Sequence, residues 1–166
     1  FMIKVDMGLL DKGQNTGAAG LMVGSQALEE EDLKAAVFFG NGINVGVNTG
    51  GYAFIGQKTA KIPDDFDWNS FSICITGKRG QEGYLLTLIV HDKDRHPVVE
   101  INSVAENPVK GIVQIVNNFR SARSNNNGPK FWYDNLALEG AGFEYKPGNR
   151  FGPVLWTMHT LSRNVL

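Results

Sequence analysis

Cysteine is nearly absent: Cys74 is the single one in 166 residues. One thiol excludes an intrachain disulfide and any multi-cysteine metal cluster, and it fits cytosol and periplasm equally. No apolar run approaches the ~20 residues that a membrane-spanning helix needs, so no membrane span is expected. No secretory signal pattern is visible either. Neither sign of charge is in excess, with 16 Lys and Arg against 17 Asp and Glu and a net charge of −1. A phosphate backbone gains little general attraction from such a chain, so nucleic acid is not an expected partner. No helical pattern is sustained over ten residues. No fixed-period repeat recurs, which removes propellers and solenoids. Glycines cluster at Gly40, Gly42, Gly46, Gly50 and Gly51. They lack the G-x-x-x-x-G-K-[ST] signature and a following helix, which rejects a phosphate-cradling loop.

What the chain does have is glycine and alternation. Twenty glycines make up about 12% of the residues, against a usual value of about 7%. Such a surplus suits many short strands joined by tight turns, because glycine takes positive φ without steric cost. Lys130 to Gly140 alternates throughout. Phe131, Tyr133, Asn135 and Ala137 fall on one side, and Trp132, Asp134, Leu136 and Leu138 on the other. Ser70 to Thr76 places Phe71, Ile73 and Ile75 on one face and Ser72 and Cys74 on the other. Further strands are expected at Phe1–Asp6, Ala18–Gly24, Leu33–Phe39, Ile43–Val47, Tyr52–Ile55, Tyr84–Val90, Val98–Ile101 and Lys110–Asn117. Asn48-Thr49-Gly50-Gly51 reads as a hairpin turn. Gly8–Gly17, Ile62–Trp68, Gly77–Gly83 and Ser121–Pro129 read as loops or turns, and the acidic run Glu29–Asp32 as a solvated loop or single helical turn. Strands at roughly ten-residue spacing with turn signals between them predict an all-β, antiparallel, two-sheet sandwich over residues 1–146. Residues 147–166 follow Pro147-Gly148 as a last strand or the start of another domain. The chain opens in strand-like alternation at FMIKVD and closes the same way at SRNVL, so both ends are expected to be cuts in a longer protein.

Four segments in order carry a resemblance: Trp68-Asn69-Ser70-Phe71-Ser72-Ile73, the hairpin Gly83–Val90, Gly111-Ile112-Val113-Gln114-Ile115, and Phe131 through Leu138. Together they resemble the concanavalin-A-like jelly roll of lectin and laminin-G-like domains, polysaccharide lyases and sugar-binding modules. The tail Phe151-Gly152-Pro153-Val154-Leu155-Trp156-Thr157-Met158-His159-Thr160-Leu161-Ser162-Arg163 resembles the segment that opens the catalytic domain of alkaline phosphatase D-like metallophosphatases. Some of those carry an N-terminal β-sandwich. The resemblance implies an accessory domain in a secreted or periplasmic protein, with phosphatase metal ligands in a domain that follows.

Several side chains are candidates for chemistry. A sugar site would use exposed aromatics for stacking and amides for hydroxyls. Trp68, Trp132 and Tyr52 are the aromatics, with Asn44, Asn48 and Asn69 as polar partners. The alternative for Trp68 and Trp132 is the core. Asp134 and Asn135 either support the closing strand or help bind Ca²⁺ through carboxylate and amide oxygens. His91, Asp92, Asp94 and His96 lie within six residues and read as a charged hairpin tip or as a divalent-metal cluster. Asp64, Asp65, Glu139 and Glu144 offer carboxylates for acid–base work, with no spacing that selects a pair. Cys74 reads as a quiet, partly buried thiol.

The expectation is therefore a non-catalytic sandwich domain that needs no cofactor. Its partner is a carbohydrate on the concave sheet or an adjoining catalytic domain. The competing expectation is a glycoside hydrolase or lyase, which needs two carboxyl groups about 5–10 Å apart across a groove.

Overall fold

A computed structural model describes residues 1–25, 42–81, 83–105, 109, 111–119, 128–141 and 143. Ten strands run through them: β1 Met2–Asp11, β2 Gly17–Ser25, β3 Ile43–Asn48, β4 Tyr52–Ile55, β5 Lys58–Lys61, β6 Phe71–Arg79, β7 Tyr84–His91, β8 Pro97–Ala105, β9 Ile112–Phe119 and β10 Lys130–Glu139. No helix occurs among the described residues. The strand expected at Leu33–Phe39, the acidic run Glu29–Asp32, most of the Ser121–Pro129 loop and the whole of residues 147–166 lie outside them.

The strands form two five-stranded antiparallel sheets, ordered β10-β1-β6-β7-β8 and β5-β4-β3-β2-β9. The protein is a β-sandwich, and neither sheet closes into a barrel. Period-2 alternation builds its core. Ile3, Val5 and Met7 of β1 are fully buried, and so are Ile73 of β6 and Leu88 and Val90 of β7. Directly opposed residues in an antiparallel pair share a face, so Val5 against Ile73 and Ile73 against Val90 form one continuous apolar row. Leu21, Val45, Val47, Ala53 and Ile55 supply the facing row from the second sheet. Each large aliphatic side chain so buried contributes about 1.5–3 kcal/mol. Among the described residues, two side-chain hydrogen bonds cross from one sheet to the other. The Tyr133 hydroxyl on β10 donates to the Val116 carbonyl on β9 at 2.8 Å. Lys58 Nζ on β5 donates to the Asn102 carbonyl on β8 at 3.1 Å.

The expected hairpin is present: Asn48 opposes Tyr52, and the Gly51 amide donates to the Asn48 carbonyl at 3.0 Å. Gly51 sits at φ +89°, a conformation that costs a residue without Cβ little. Three expectations need correction. The Gly8–Gly17 loop starts late, because β1 continues to Asp11 by pairing with Phe131 and Lys130. Similarly, β6 continues through Arg79, inside the expected Gly77–Gly83 turn. Finally, the alternation of β10 breaks at Asn135. Lys4 pairs with Ala137 and Asp6 with Asp134, so two residues of β10 oppose Val5. Asn135 takes φ +50°, the left-handed bulge conformation that asparagine tolerates. Beyond the bulge the parity reverses. Leu138 opposes the inward Ile3, and Ala137 opposes the outward Lys4.

Candidate functional site

The outer face of the first sheet carries polar side chains in register. One row runs Asp134, Asp6, Ser72, His91 across β10, β1, β6 and β7. The row beside it runs Ala137, Lys4, Cys74, Ile89, Glu100 as far as β8. At the end of the first row lies a shallow open pocket of about 100 Å³. Asp6, Ser70, Phe71, Lys93, Arg95, Trp132, Asp134 and Asn135 line it.

Two devices shape this pocket. The first holds Trp132. Its indole N–H donates to the Asn69 carbonyl at 3.1 Å, and that bond closes directly above Gly8, the cross-strand partner of Trp132. A Cβ at Gly8 would collide with both the Asn69 oxygen and Trp132 Nε1, so only glycine leaves room for the ring to lie across β1. The second device is a clasp on Asp6. Arg95 donates to its two oxygens at 2.6 and 3.0 Å, and Asn135 Nδ2 donates at 3.0 Å. These bonds, with that from Arg95 foremost, hold the Asp6 carboxyl below its usual value against the opposing effect of burial.

Arg95 reaches Asp6 from the turn between β7 and β8, where it takes φ +69°. Asp92 builds that turn by accepting the backbone N–H groups of Asp94 at 2.9 Å and His96 at 2.8 Å. Its second oxygen meets the His96 ring at 3.3 Å. The quartet His91, Asp92, Asp94, His96 is thus a hairpin tip held by an Asx-type cap. Among the described residues no group of three or more His, Cys, Asp or Glu side chains is placed to hold a metal. Beneath the clasp, Ser72 is 1% exposed although it faces outward. Its hydroxyl and the buried Nδ1 of His91 have no hydrogen-bond partner among the described residues. Burial, with Lys4 and Arg95 nearby, lowers the pKa of His91 and favours the neutral ring.

Of the residues singled out in the sequence, Trp132, Asp134 and Asn135 come together here. Asp134 accepts the N–H of Asn135 at 2.8 Å, and Asn135 turns its amide nitrogen to Asp6. The oxygens a Ca²⁺ ion would seek are therefore partly engaged. Trp68 stands apart, edge-on to Phe66 at 5.3 Å and to Phe71 at 5.9 Å in an aromatic cluster packed on the core. Tyr52, Asn48 and Asn44 belong to the other sheet. Tyr52 is exposed. Asn48 caps its hairpin by accepting the N–H groups of Gly50 and Tyr52. Asn44 is exposed on β3, and its carbonyl takes the Gly56 N–H. Asp64 pairs with Lys61 at 2.9 Å in an exposed loop, and Glu144 lies outside the described residues. Burial pushes the Cys74 thiol up, which keeps it protonated and unreactive.

Asp6, Lys93, Arg95 and Ser72 were not singled out in the sequence. Arg95 and Asp6 are 89 residues apart, and nothing local marks them as partners. Compared with known proteins, the chain matches no family model, no curated protein and no solved structure.

Proposed function

We propose that this sandwich is a non-catalytic binding module for a saccharide, held at the outer-face pocket beside Trp132. Its role is that of an accessory domain in a larger metallophosphatase of the alkaline phosphatase D-like kind. The observation that carries the binding reading is the Trp132 ring, tied to the Asn69 carbonyl over Gly8 at the rim of a polar pocket. A partly buried indole fixed by its own N–H suits stacking on the apolar face of a sugar ring. Asp134, Ser70 and Lys93 stand around it for the hydroxyls. The open shape suits a docked glycan unit more than an enclosed substrate.

The hydrolase alternative needs one carboxyl with a raised pKa, ready to give a proton, and a second one facing it. Asp6 and Asp134 are cross-strand neighbours in the pocket. Asp6, however, is shifted the wrong way by Arg95. Binding without turnover is the reading this chemistry favours.

A glycan array probed with wild-type protein and with Trp132→Ala tests the proposal. Binding to at least one glycan class is expected, lost in the variant, and with no reducing ends released from the bound glycan. Absence of binding across the array, or equal binding by the variant, would refute the site. Release of reducing ends would return the hydrolase.

A further inference from the structure

The clasp on Asp6 has a form that a simple strut does not need. Arg95 extends from the β7–β8 turn to β1 and so passes across β6, which lies between them in the sheet. Under that crossing lies the hydroxyl of Ser72, buried and without a partner among the described residues, as is Nδ1 of His91 on the adjoining strand. A buried polar group without a partner costs stability, and here two such groups sit side by side. Arg95 itself is 49% exposed and the Asp6 side chain 13%, so water reaches and screens the pair from the Arg95 side. The same turn brings Lys93 to the pocket. Two cations, Arg95 and Lys93, and two carboxylates, Asp6 and Asp134, thus line the pocket.

We propose that the Arg95–Asp6 pair is a gate, opened by a ligand that carries an acid group beside hydroxyls. The ligand's acid group takes Arg95 and Lys93, and its hydroxyls meet Asp6, Ser72 and His91 while its ring rests on Trp132. The exchange replaces one carboxylate partner of Arg95 by another, while Asp6 keeps the Asn135 amide and gains the ligand's hydroxyls. The freed hydroxyl of Ser72 and the nitrogen of His91 gain partners that the closed form denies them. In this way the inference rests on the saccharide reading and names the class of saccharide, an acidic one.

The test is calorimetric titration with matched acidic and neutral oligosaccharides, glucuronate oligomers against glucose oligomers of equal length. An array of acidic and neutral glycans extends it. Wild type is expected to prefer the acidic member by about five-fold, the value of one exposed ion pair. Arg95→Ala is expected to erase that preference. Asp6→Asn, which keeps the side-chain size and releases Arg95 from its competitor, is expected to raise affinity for the acidic member several-fold. Ser72→Ala should weaken binding of the acidic member and leave the neutral one as it was. A preference that survives Arg95→Ala, or an Asp6→Asn variant that loses acidic affinity, would overturn the gate. Trp132-dependent binding with no preference for acid would sink the gate and leave the saccharide reading standing. No binding anywhere on the array would remove both.

Discussion

Trp132 and Asp6 have neighbouring places on the sheet and different physical roles. Trp132 is partly buried, and its one strong tie is the hydrogen bond to Asn69. Its removal forfeits that bond and some packing. Trp132→Ala is expected to cost about 1–2 kcal/mol in a denaturant melt, against the ~3–5 kcal/mol of a core aromatic. A loss at the core value would place the ring inside and withdraw it from ligand. Asp6 makes its contribution through charge. Its carboxyl titrates below its ordinary value of 3.8, so folding favours the ionised form. That contribution is present at neutral pH and is lost as pH falls through the lowered value. Stability followed from pH 7 to pH 2 should therefore show wild type and Asp6→Asn converging below about pH 4. A gap that stays constant over this range would mean that the clasp contributes nothing through ionisation.

Among the strands, legibility followed burial. The strands β6 and β7 were readable because every second residue faces the core: Phe71, Ile73 and Ile75, then Leu86, Leu88 and Val90, are all buried. β5 was missed. It is a short edge strand in which Lys58, Thr59 and Lys61 are exposed, and a polar edge carries no alternation to read. In β10 the strand was visible and its register was not. The bulge at Asn135 is set by how β1 pairs with it, and one inserted residue reverses the faces of all that follow. Trp132 and Asp134 precede the bulge and keep the face that alternation gave them. Leu136 and Leu138 follow it, and they are 43% and 45% exposed along the edge. The clasp was invisible for a related reason, since Arg95 and Asp6 meet only once four strands are in order. β10 also ties the two sheets together. The Tyr133 hydroxyl is partly buried, and that burial raises its pKa. Tyr133→Phe removes its bond to the Val116 carbonyl. A loss of about 1 kcal/mol is expected in equilibrium unfolding. An unchanged midpoint would show that water replaces the hydroxyl at no cost.

For the molecule as a whole, two packed sheets give a rigid platform with its apolar residues turned inward. The outer face of the first sheet is then free to present a row of polar groups in fixed spacing. On the proposed function, ligand meets protein on this face, at Trp132. The chain has three tryptophans, Trp68, Trp132 and Trp156, so its indole N–H groups give three separable signals in a ¹H–¹⁵N NMR spectrum. The signal missing from Trp132→Phe identifies the ring. Titration with a glycan retained on the array should move that signal in a saturable way and leave the Trp68 signal in place. Movement of the Trp68 signal with Trp132 unchanged would contradict the account and relocate the site.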